Sequence, residues 1–220
     1  MKLKLYKDMK VELLQQTEYP AEMVAAALDL TMHSDEEHMP AKFTAKLGKF
    51  LLDAEHTSPI EHVHYTFLIQ GVSRSFLAQI TRHRMGSFTS ASQHYQDYED
   101  YPCIVSEYDP NYVMALQNSY SSYKFLRSEG VAKEEARQVL PNAASVNLIW
   151  SVNARGLVTF LMQRLCHRNV KEMQIFAQRV LSLVKPSFPE LFNFVGPQCF
   201  MDDTCKQGRM QCKEGVWKNS

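Results

Sequence analysis

The chain has 220 residues, 45% apolar and 22% charged, with 24 basic and 24 acidic side chains and no formal net charge. That is enough chain for one sizeable core. The even balance argues against a protein that lives on nucleic acid or an anionic membrane, which usually carries a basic excess. No apolar run approaches the roughly 20 residues that span a bilayer. The N-terminus, MKLKLYKDMKVELL, lacks the apolar stretch of a secretory signal, so the expected location is the cytoplasm.

No repeat or linker divides the sequence, and a single domain is expected over residues 1–220. Residues 20–33 predict a helix opened by Pro20, and residues 40–54 a second opened by Pro40, with Phe43, Leu47, Phe50 and Leu51 at helical spacing. The segment HTSPIEH interrupts the pattern. Residues 63–72 are rich in β-branched and aromatic side chains and predict a strand ended by Gly71. Helix resumes over 73–84 with Ser73 as its cap. Residues 85–108 predict loop with one short strand at most. Helices follow over about 111–128 and 132–140. Residues 145–164 predict a strand running into Asn153 and then a helix. Residues 169–185 predict a strongly amphipathic helix that Pro186 stops. The expected class is α+β, with helices packed around a small, mostly antiparallel sheet.

Five cysteines, Cys103, Cys166, Cys199, Cys205 and Cys212, are an odd number and argue against a secreted disulfide framework. Three fall in the tail, about residues 196–220, at gaps of five and six residues. Without a tight pair or a fourth thiol nearby, they read as free thiols of an irregular segment, with no metal.

The chemistry concentrates in four places. ITRHRMGSFTSASQHYQ, residues 80–96, sets Arg82, His83 and Arg84 before Ser87, Thr89, Ser90, Ser92 and His94. Guanidinium forks and short hydroxyls suit a phosphate or a nucleotide ring edge. HTSPIEH supplies His56, Ser58, Glu61 and His62, but Pro59 rules out a helical metal motif. EEARQVLP places Arg137 before an apolar end. NARGLVTFLMQR carries Arg155 and Arg164, nine residues and so about 180° apart on a helix. Arginines beside apolar segments call for anionic partners.

Together these segments resemble the flavin-dependent thymidylate synthases, the thymidylate synthase complementing protein family. The family's Arg-His-Arg triplet, followed after seven intervening residues by a serine, is matched by Arg82-His83-Arg84 and Ser92. Its His-x-Ser/Thr-x-x-Glu-His segment is matched by His56, Ser58, Glu61 and His62. ARQVLP, Asn153-Ala154-Arg155 with Arg164, and LFNFVGPQC are similar to further family segments in the same order. The resemblance implies the fold of that family, a homotetramer with active sites shared between subunits, and no nucleic-acid or membrane partner. It implies FAD bound by His56, Ser58, Glu61, Arg82, His83, Arg84, Asn153, Arg155 and Thr159. It implies dUMP bound by Gln79, Arg82, Ser90, Ser92, Gln93, His94, Arg137 and Arg164, with Arg164 and Ser92 as the catalytic pair. The implied reaction is reductive methylation of uracil C5, with methylenetetrahydrofolate and NADPH as co-substrates.

Thr89, Ser90 and His94 depart from the family motif, which has asparagine, an acid or amide, and arginine at those positions. The departure leaves room for another pyrimidine nucleotide, UMP or dCMP, or for a non-catalytic flavin- or nucleotide-binding homologue.

Overall fold

The computed structural model describes residues 2–32, 42–93 and 101–213. The elements in chain order are β1 (Leu3–Leu5), β2 (Lys10–Gln16), α1 (Pro20–Met32), α2 (Ala45–Asp53), β3 (His64–Ser73), α3 (Arg74–Ile80), β4 (Ser87–Ser90) and β5 (Cys103–Val105). They continue with α4 (Pro110–Ser128), α5 (Lys133–Ala136), β6 (Ser145–Asn153), α6 (Ala154–Arg164), α7 (Lys171–Val184), α8 (Pro189–Phe192) and α9 (Gln198–Met201). Four strands form a sheet in the order β2-β3-β6-β4, and β1 pairs in parallel with β5, Leu3 opposite Cys103. The α+β expectation holds.

Several boundaries move, each for a local reason. The second helix starts at Ala45, because the Thr44 hydroxyl accepts a hydrogen bond from the Leu47 N–H and caps it there; Pro40 lies outside the described residues. Gly71 does not end β3. It sits inside the strand at φ +71° and donates its N–H to Asn147 Oδ1 at 2.9 Å, a kink that the strand runs through. Ser73 caps α3 as expected, its hydroxyl accepting from the Phe76 N–H at 2.9 Å. The helix ends at Ile80, so the arginine triplet lies in the turn beyond it rather than on helix faces. Residues 132–140 split into α5 and a 3-10 turn, Arg137–Val139. The strands β1, β2 and β5 were not foreseen individually.

The chain forms two compact units, and their boundaries fall inside β2, β3, β4 and β6 and between residues 84 and 85. Residues 1–11, 68–84 and 88–150 make the first. In it Cys103, Val105, Leu116 and Tyr120 form an apolar cluster against which Leu3 and Leu5 pack. The second comprises residues 12–67, 85–87 and 151–220. Its core is aromatic. Phe160 meets Phe176 edge-on at 5.8 Å, Tyr65 meets Phe192 at 5.8 Å, and Phe43 meets Phe188 at 5.4 Å. Each such pair adds about 0.5–1.5 kcal/mol beyond the area it buries. Helix α7 delivers Phe176 because Met173, Phe176, Ala177, Val180, Leu181 and Val184 fall on one face, all buried. Among the described residues no helix is long and apolar enough to cross a membrane.

Candidate functional site

In the second unit the HTSPIEH segment is a 3-10 turn, Pro59–His62, whose Pro59 and Ile60 are buried. Pro59 presets the turn's backbone angle and Ile60 anchors it. His56 and Ser58 are left exposed. Glu61, partly exposed, forms an ion pair with Arg155. Both charged side chains are more than two-fifths exposed. A pair so open to water is worth at most about 1 kcal/mol, so the guanidinium can be re-directed to a ligand anion at little cost.

Arg155 stands in the first turn of α6. Asn153 starts that helix: its Oδ1 accepts from the Gly156 N–H at 2.8 Å. Gly156 allows the close approach there, since a Cβ would come within 2.9 Å of the Met85 carbonyl oxygen. One turn on, the Thr159 hydroxyl donates to the Arg155 carbonyl at 3.1 Å. Arg155 and Thr159 line a cleft of about 420 Å³. Thr57, Val158 and Lys206 line it as well. Motif spacing did not single them out, because Thr57 occupies a variable place in its motif and Lys206 arrives from the tail.

Arg164 closes the other end of α6. Its Nη1 donates to Asn169 Oδ1 at 3.2 Å, and Asn169 donates in turn to the Gln163 carbonyl at 2.6 Å. Its Nε is buried with no hydrogen-bond partner. A buried donor left unmade costs about 1–3 kcal/mol, more on a charged group.

In the first unit the triplet follows α3. His83 is only 8% exposed, and its ring meets the Trp150 indole edge-on at 6.2 Å. Phe88 stacks on the same indole at 6.1 Å. The His83 N–H is tied to the Ile80 carbonyl at 2.9 Å. With the histidine thus held inward, Arg82 and Arg84 are both exposed. Gln79 is half-buried, Ser90 and Ser92 are exposed, and Gln93 is buried. Arg137 is half-buried and donates from Nε to the Glu134 carbonyl at 3.1 Å. His94 lies outside the described residues.

These features define a class: an α+β protein that presents arginines and short hydroxyls as an anionic small ligand requires. Comparison with known proteins narrows it. The profile described as thymidylate synthase complementing protein matches residues 12–190. The flavin-dependent thymidylate synthase of Clostridium tetani is 35% identical, the match covering 92% of each chain. That of Geobacter sulfurreducens is also 35% identical, over 93% of this chain and 94% of its own. Among solved structures, the flavin-dependent thymidylate synthase of Helicobacter pylori, complexed with FAD and dUMP, superposes with a TM-score of 0.71. It is 21% identical, over 85% of this chain and 99% of its own. A UMP/dUMP methylase of Streptomyces cacaoi, bound with 5-Br dUMP, gives 0.73 at 24% identity, over 87% and 96%. The chain belongs to the thymidylate synthase complementing protein family, the flavin-dependent thymidylate synthases.

Proposed function

We propose that this chain carries out the reductive methylation of dUMP to dTMP, using FAD, methylenetetrahydrofolate and NADPH, as a cytoplasmic homotetramer of single-domain subunits with shared sites. The observation that carries the reading is the buried, unpartnered Nε of Arg164 at the end of α6. A uracil ring at this end of α6 would offer the acceptor it lacks once the guanidinium turns out to meet it. A guanidinium beside the ring favours negative charge on the N3/O4 side, which raises electron density at C5 and makes that carbon the nucleophile. No cysteine attack is then needed.

The residues fit a flavin dinucleotide. Arg155 and Thr159 on the 420 Å³ cleft would hold it, with Asn153, His56, Ser58 and Glu61 of the same unit; the resemblance adds Arg82 and Arg84, while the buried ring of His83 is placed to position them rather than to touch the flavin. A flavin held there would supply the hydride that turns the transferred one-carbon unit into a methyl group, with NADPH as the source of its electrons. The chain's own part is to bind and orient. Arg82 and Arg137 neutralise the nucleotide phosphate. Gln79, Ser90, Gln93 and His94 bind the rest of the nucleotide, and Ser92 orients the base. A serine without a neighbouring base is a poor nucleophile. His83, packed on Trp150, aims the arginines on either side of it.

Thr89, Ser90 and His94, where the family motif has other residues, favour a second reading in which the nucleotide is UMP or dCMP. Anaerobic turnover with FAD, NADPH and methylenetetrahydrofolate, offering dUMP, UMP and dCMP separately and weighing the product, tests both. A methylated product from dUMP alone is the expected result. Product from UMP or dCMP moves the assignment to the second reading, and no product from any nucleotide overturns both.

A further inference from the structure

The three tail cysteines lack a fourth partner in the sequence, but the fold supplies one. Cys166, just past α6, lines the same cavity as Cys199, Cys205 and Cys212. The cavity measures about 370 Å³ and lies wholly in the second unit. Thus four of the chain's five cysteines, drawn from segments more than thirty residues apart, face one space. None is disulfide-bonded and all four are partly buried.

The tail itself needs such a site. From Asp202 to Lys213 every residue is exposed except Cys205 and Cys212. The segment has one 3-10 turn, Gly208–Met210, and no apolar side chain in the core. A stretch with so little burial cannot offset the entropy of its own ordering, and short segments of this kind are commonly held by a metal or a disulfide. Its two inward-facing residues are both thiols.

We propose that this cavity is a structural site for a thiophilic divalent cation, zinc foremost, bound by the thiolates of Cys166, Cys199, Cys205 and Cys212. Four thiolates complete a tetrahedral shell, as structural zinc sites require. Sulfur donors and the absence of carboxylates from the cavity wall exclude magnesium and calcium. Binding releases four thiol protons and leaves the centre at net charge −2. Arg168 on the same wall offsets part of that charge; Lys206, also on the wall, is paired with Asp202 at 2.6 Å. Among the described residues no three ligating side chains are close enough together to hold an ion, so the cation must draw the tail inward as it binds. The loop it would fix also carries Asn169, which lines the cavity and holds Arg164. Asn169 Nδ2 approaches the Cys166 carbonyl oxygen at 3.3 Å.

The test is metal content and cobalt spectroscopy on the full chain. Protein purified under reducing conditions without chelator should carry about one zinc per chain. Anaerobic replacement by Co(II) should give intense thiolate-to-metal absorption and the visible bands of tetrahedral cobalt. Cys166→Ser, Cys199→Ser, Cys205→Ser and Cys212→Ser should each lower the bound metal severalfold, while Cys103→Ser should not. Because misfolding would also strip a variant of metal, the cobalt spectrum of the wild-type chain decides independently. Reduced, folded wild type that shows no thiolate absorption with Co(II) would overturn the proposal, and so would a disulfide between any two of the four that persists in protein purified under mild reducing conditions. Neither result bears on turnover, so the site can fail while the reductive methylation stands.

Discussion

Arg164 and Arg155 share a helix but not a situation. Arg155 is open to water and weakly paired with Glu61. Arg164 is half-buried, held through one nitrogen by Asn169, with a second nitrogen unspent. The difference decides which one can tune a reacting ring, because a donor in a drier setting acts through a lower effective dielectric. Arg164→Lys removes the fork and with it the free Nε. The variant should fold and bind FAD normally, yet lose roughly a hundredfold or more in kcat, the scale of deleting one donor aimed at developing charge. Near wild-type turnover in a steady-state assay would remove Arg164 from its proposed role. His83 shows the opposite logic. It sits in the middle of a cationic triplet, yet its ring is a core side chain against Trp150.

Helix α2 owes its placement to the absence of a side chain. A Cβ on Gly48 would lie 2.1 Å from the Glu190 carbonyl oxygen and 2.9 Å from its carbon, both backbone atoms of α8. Propensity alone says that Gly→Ala in a helix interior stabilises by about 1 kcal/mol. The clash is with backbone that cannot swing aside, so it dominates. Gly48→Ala should cost about 3 kcal/mol or more, read as a lower urea midpoint. A midpoint equal to or above wild type would mean that α8 shifts freely. At this scale the sequence was informative where signals are local. Ser73, Asn153 and the apolar face of α7 act within a turn or two of themselves, and their elements begin where expected, although α3 stops a turn early. It was silent where partners are remote. Three-residue strands such as β5 carry no usable periodicity, and their existence depends on β1 about a hundred residues earlier. The cavity shared by Cys166 and the tail is of the same kind: spacing could count three thiols but could not bring in the fourth.

Across the whole molecule, two buried titratable groups set a limit on alkaline stability. Burial pushes the Cys103 thiol up from 9.0 to about 11, against the opposing contact of Tyr120. Burial likewise raises the Tyr65 phenol, against the opposing influence of Ser187. In both, the folded chain prefers the neutral form more than the unfolded chain does. Their contributions are therefore complete below the unfolded values and are lost as pH rises through the folded ones. Urea midpoints should stay level with respect to these groups up to about pH 9 and fall beyond it. Cys103→Ala, though less stable throughout, should show a shallower decline between pH 9 and 11. A decline equally steep in the variant would show that Cys103 is not its source.

The pairing of β1 with β5 has a consequence in time. Leu3 can meet Cys103, and Leu5 can meet Val105, only after about a hundred residues have been synthesised between them. At typical rates of about 5–20 residues per second, the first strand waits for seconds before its partner exists. During that interval Leu3 and Leu5 have no apolar cluster to join, and a nascent chain in this state has an unpaired edge. Closing so long a loop also places this contact among the slow steps of assembly. Strand β1 is made about a hundred residues ahead of its partner and is among the last elements to find its place.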